Sequence, residues 1–133
     1  MQITTRTEYS VRALCELCFS QTALSLKTLA IEHKLPFKYL EHLFRQLKKS
    51  GIVYSTLGAQ GGYRLNKSPE EISLLDIIKA VERRTAISSC FHNAESQYCL
   101  GENCRFRMIW GNINNHLEEH YKNITLATII EQI

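Results

Sequence analysis

No apolar run in this 133-residue sequence is long enough to span a bilayer. Its opening residues, Met1-Gln2-Ile3-Thr4-Thr5-Arg6, lack the apolar core of a secretory signal, so a cytoplasmic protein without membrane contact is expected. Internal repeats and low-complexity tracts are missing too. The length therefore fits one domain, or a compact domain with an added dimerisation helix. Paired catalytic carboxylates, an activated nucleophile and a cofactor loop are all absent, which argues against an enzyme. A disulfide framework is not expected either, because five cysteines is an odd count and cytosolic thiols stay reduced.

The 44% apolar content is ordinary for a globular protein. Charge is distributed unevenly. Residues 1–67 carry ten Lys/Arg against four Asp/Glu, a net +6; residues 68–133 carry six against nine, a net −3. A polyanion would bind the basic half, because each phosphate contact releases condensed counterions.

From Thr7 to about Ser20, Val11, Leu14, Leu17 and Cys18 recur at helical spacing. Ser25 can cap a second helix over about 26–33, with Leu29 and Ala30 turned inward. Pro36 suits the first turn of a third helix that runs to Lys49, with Leu40, Leu43, Phe44 and Leu47 as its apolar stripe. Ser50-Gly51 supplies the stop. Strands are expected at 52–55 and from Gly62 to Leu65, joined by the glycine-rich tip of residues 56–61. Two short helices followed by a hairpin is the order of a winged helix-turn-helix, so the expected fold is mainly α with one small hairpin. The hairpin is not a phosphate-binding loop, because it lacks the Gly-Lys-Ser/Thr ending and a following helix.

Ser73 and Asp76 form a capping box that opens a helix to about Val81. Residues 83–102 are polar and without a clean period. Beyond Cys104, Ile109, Ile113, Leu117 and Tyr121 recur at four-residue steps beside Trp110. That long helix carries more apolar surface than so small a domain can cover, and a homodimer interface is its natural use. The last segment, from Ile124 to Ile133, reads as an apolar helix folded back. The domain organisation is thus 1–82 for DNA, 83–104 for the cysteine loop, and 105–133 for dimerisation and the C-terminal helix.

In the winged-helix order the second helix of the pair enters the major groove. Lys38, Tyr39 and His42, near its start, are placed to reach base edges, while Lys48 and Lys49 at its end contact phosphate. Gln60 and Arg64 on the wing face the backbone or a narrow minor groove. Double-stranded DNA is the expected partner, and a symmetric dimer suits a palindromic operator.

Cys15 and Cys18 lie within an apolar helical run and read as buried small hydrophobes. Cys90, Cys99 and Cys104 fall in a polar segment where burial does not explain them. Iron–sulfur clusters need soft thiolates from a loop that can wrap them, and Cys104 would open the long helix, whose positive end favours anionic ligands. Zinc is the competing reading, with His92 as a fourth ligand of a closed tetrahedral site, although the spacing is not that of a zinc knuckle.

Several stretches together resemble the Rrf-two family of winged-helix regulators nearly end to end. They are Met1-Gln2-Ile3-Thr4 with Glu8-Tyr9, Tyr39-Leu40-Glu41 with Leu43-Phe44, and Leu47-Lys48-Lys49-Ser50-Gly51. Gly61-Gly62-Tyr63-Arg64-Leu65, the three cysteines and Ile124-Thr125-Leu126 complete the set. The resemblance implies a homodimeric repressor on a palindromic operator, whose DNA affinity changes when an iron–sulfur cluster is lost, nitrosylated or oxidised. One branch of that family takes its fourth ligand from a histidine three residues past the last cysteine, where Arg107 stands here. Another uses an acidic residue near the partner subunit's N-terminus, and Glu8 matches it. The resemblance therefore favours Glu8, with His92 as the alternative, and a four-iron cluster over a two-iron one. Leu57 replaces an arginine that several members carry at the start of the wing, which leaves Gln60 and Arg64 for that role.

Overall fold

The computed structural model describes residues 2–88, 90, 99–101 and 103–133. Helix α1 spans Thr5–Phe19, and the Thr4 hydroxyl caps it by accepting from the Arg6 N–H. Ala13, Leu14 and Leu17 form its buried face. Helix α2 covers Leu26–Glu32, with Ser25 capping the Thr28 N–H as its place in the sequence predicts. Helix α3 covers Phe37–Lys49. It begins one residue later than the proline suggests, because Pro36 itself takes the capping position with an extended ψ. Leu40, Leu43, Phe44 and Leu47 are fully buried on one stripe; each such side chain contributes about 1.5–3 kcal/mol over leaving it in water. Gly51 ends α3 in the left-handed region, at φ 74°.

Strands β1 (Val53–Thr56) and β2 (Gly62–Leu65) pair antiparallel, Val53 opposite Leu65 and Thr56 opposite Gly62. The hairpin is also tied to the turn before α2. Leu24 and Tyr63 exchange both backbone hydrogen bonds, at 3.1 and 2.8 Å. This close approach requires glycine at position 62, where an added Cβ would stand 2.4 Å from the Leu24 carbonyl oxygen. Gly62→Ala is expected to free the hairpin from that turn and cost about 1–3 kcal/mol of stability, read as a lower melting temperature.

A 3-10 turn at Pro69–Glu71 leads to α4 (Leu74–Val81), opened by the expected reciprocal Ser73–Asp76 box. Helix α5 covers Arg105–Lys122 and α6 covers Leu126–Ile130. The C-terminal segment does fold back. The Leu74 N–H donates to the Ile124 carbonyl at 2.7 Å and the Leu126 N–H to the Ile72 carbonyl at 2.9 Å. The core joins α1 to α4 with Ile52, Ile72 and Leu126 in one cluster.

Helix α5 is oriented in a way that periodicity does not reveal. Its buried residues are Gly111 and Asn114, while Phe106, Met108, Ile109, Trp110 and Ile113 are exposed. Leu117 and Tyr121, on the expected stripe, are half-buried. The helix thus turns its small and polar side to its own domain and its large apolar side outward.

Candidate DNA interface and cysteine site

On α3, Lys38, His42, Lys48 and Lys49 are all exposed, while the apolar stripe holds the helix against α1, α2 and α4. Tyr39 is placed differently from Lys38 and His42. Its half-buried ring meets Tyr9 edge-on at 5.9 Å, so most of it packs α3 onto α1. Lys48 donates to the Ser55 hydroxyl at 2.6 Å, which ties the end of α3 to the hairpin. Arg45, omitted from the sequence-derived set, is exposed on the same ridge as Lys38, His42 and Lys49. The signal was available, because steps of three and four residues bring these positions to one face.

Gln60 and Arg64 are exposed, and they line one crevice with Thr22, Ser25, Thr28 and Thr56 between the start of α2 and the wing. Sequence reasoning used Ser25 only as a cap. Within it the Ser25 and Thr28 hydroxyls hydrogen-bond each other at 2.8 Å, the Thr56 hydroxyl donates to the Gly62 carbonyl at 3.5 Å, and Arg64 supplies the positive charge.

All five cysteines are free thiols. Cys15 is buried in the core, as its apolar context suggests, and Cys18 is half-buried beside it. Burial pushes the Cys18 thiol up to about 11, with the nearby Cys15 and Glu70 adding to the effect. The Cys15 thiol is raised for the same reason, by burial and then by Glu16. These two thiols stay protonated and unreactive at neutral pH. Cys90, Cys99 and Cys104 are each half-buried. Cys104 occupies the capping position of the 18-residue α5 without a side-chain cap bond, and its carbonyl accepts from the Arg107 N–H at 3.1 Å, so the thiol stands at the positive end of that helix. Soft thiols beside a positive helix end suit an iron–sulfur cluster by their donor chemistry. Among the described residues no group of three or more Cys, His, Asp or Glu side chains is gathered as a metal site. Glu8 is exposed in the first turn of α1. His92 lies outside the described residues.

Helix-turn-helix, wing and basic ridge together define a winged-helix DNA-binding protein. The family described as "Rrf2: Iron-dependent Transcriptional regulator" matches residues 3–132, and the chain belongs to it: it is a DNA-binding transcriptional regulator. Protein rrf2 of Nitratidesulfovibrio vulgaris is 35% identical over 133 residues, covering 98% of this chain and 87% of that relative. CymR, the global cysteine regulator of B. subtilis, superposes with a TM-score of 0.78 at 27% identity, covering 100% of this chain and 98% of that one. IscR of T. potens superposes with a TM-score of 0.76 at 30% identity, over 99% and 88%. No helix among the described residues is long and apolar enough to cross a membrane.

Proposed function

We propose that this chain is a homodimeric repressor whose operator affinity is set by an iron–sulfur cluster on Cys90, Cys99 and Cys104. The observation that carries this reading is the division of the thiols. Cys15 and Cys18 pack with the α1 core and their thiols are raised by burial, whereas Cys90, Cys99 and Cys104 are half-buried outside that core, with Cys104 at the capping position of α5. The likeness to T. potens IscR and the family's iron dependence support it. The cluster is four-iron rather than two-iron, since Arg107 cannot serve as the fourth ligand. Bound there, it supplies a site that nitric oxide, iron scarcity or oxidants can alter. The protein contributes three thiolates and a polar helix end.

Two unpartnered apolar features support the dimer. One is the outward face of α5. The other is a groove of about 470 Å³ lined by Ile3, Val11, Leu74, Ile124, Ile129 and Ile133. In a two-fold dimer each protomer's α5 covers the other's apolar surface, which satisfies both. Glu8 lines the same groove, which supports its role as the fourth ligand, given across the interface.

Anaerobic purification tests the reading. A brown protein with charge-transfer absorption and stoichiometric iron and sulfide is the expected result. A colourless protein holding zinc, or one that regulates through reversible thiol oxidation, would replace it. For the DNA face, Lys49→Ala should weaken binding to all duplexes and reduce the salt slope by about one unit. Arg64→Ala should weaken operator binding most in A·T-rich flanks, where the narrow groove is most negative, and leave dimerisation unchanged.

A further inference from the structure

Residues 82–87, between α4 and the cysteines, are fastened at both ends. At the first end, one carboxylate oxygen of Glu82 accepts from two hydroxyls, Thr4 at 2.6 Å and Thr7 at 2.7 Å. Thr7 is 1% exposed, and Arg6 reinforces the joint by donating to the Val81 carbonyl at 3.1 Å. All three partners belong to the first turn of α1 or its cap. At the second end, the Ile87 N–H donates to the side-chain oxygen of Asn114 at 3.2 Å. Asn114 is 4% exposed, and its amide nitrogen donates in turn to Glu118 at 3.3 Å. Glu118 pairs with Lys79 of α4 at 3.2 Å.

If Ile87 moved away, the buried side-chain oxygen of Asn114 would lose its partner, so Asn114 favours one position of Ile87. Ile87 stands three residues before Cys90. At the other joint, α1 carries Tyr9 against Tyr39 of the recognition helix. The two joints thus lie between Cys90 and the helix that packs on Tyr39.

We propose that Asn114 and Glu82, with Thr7, are positioning residues that couple the cysteine segment to the recognition helix. This rests on the regulatory reading of the three cysteines given above. Coupling is reciprocal: if the segment changes DNA affinity, DNA must change the segment. The test needs no metal. In cluster-free full-length protein, alkylation rates of Cys90, Cys99 and Cys104 are measured with and without a duplex that the protein has selected from a random library. Cys15 and Cys18 serve as internal controls. In the wild type the duplex should change the three rates by about fivefold or more. In Asn114→Leu and in the near-isosteric Thr7→Val that ratio should collapse towards one, with DNA-free melting curves confirming a folded protein. A merely structural role would shift the rates with and without DNA alike and preserve the ratio. A preserved ratio in folded Thr7→Val, or a wild type whose thiols ignore the duplex, overturns the proposal. Failure of the iron–sulfur reading would instead show as missing absorption in the anaerobic protein, which this measurement does not use.

Discussion

Cys99→Ala is expected to yield a colourless protein with iron and sulfide at background. It should have lost cluster-dependent regulation while keeping its fold. The three thiolates hold most of the binding energy of the proposed cluster, so removing one opens the site to solvent and exchange. Cys90→Ala and Cys104→Ala should behave alike. Cys15→Ala and Cys18→Ala should retain the chromophore, because those thiols are protonated parts of the α1 packing surface. Glu8→Ala is expected to retune the cluster without abolishing it. Absorption spectra and iron analysis of the five cysteine variants under nitrogen check the set, and normal iron content in Cys99→Ala would sink the ligand assignment.

The second large effect concerns the outward face of α5. Replacing Ile109 and Ile113 together by Asp puts two charges on a face that the proposed dimer buries, where an unpaired charge is strongly disfavoured. Both residues are exposed in the single chain, so the fold of the protomer should survive. The expected product is a folded monomer by sedimentation. Its operator affinity should fall by about 100-fold or more, because two half-sites no longer engage as one unit. Unchanged mass with full operator binding would place the dimer interface elsewhere.

Local signals made the DNA-binding half legible. The α3 stripe, the left-handed Gly51, the Ser25 cap and the Ser73–Asp76 box each act within a few residues, and each reappears in the structure. The basic ridge on α3 follows from the same period, Arg45 included. What escaped was set by distant partners. Tyr39, expected at base edges, also packs edge-on against Tyr9, thirty positions away, which no local pattern announces. The period of α5 announced an amphipathic helix without marking Asn114 as its inward residue, since Asn114 is held by Ile87, which lies outside the helix, and by Glu118, which in turn pairs with Lys79 of α4. The Glu82 joint spans more than seventy residues of sequence and has no local signature. For the proposed site, cysteine type and polar context singled out Cys90, Cys99 and Cys104, and the structure does not gather them into a metal site among the described residues. The proposed fourth ligand, Glu8, rests on the family resemblance alone, because a donor given by a second copy would leave no spacing in one chain.

The central claim is that one cluster governs DNA affinity, and one preparation can test it. Anaerobically purified protein is titrated against its selected duplex at fixed salt, the cluster is removed with a chelator, and the titration is repeated. The account predicts that affinity shifts by about fivefold or more in step with the loss of visible absorption. Equal affinity before and after, in a protein that demonstrably held and then lost its iron, would contradict it.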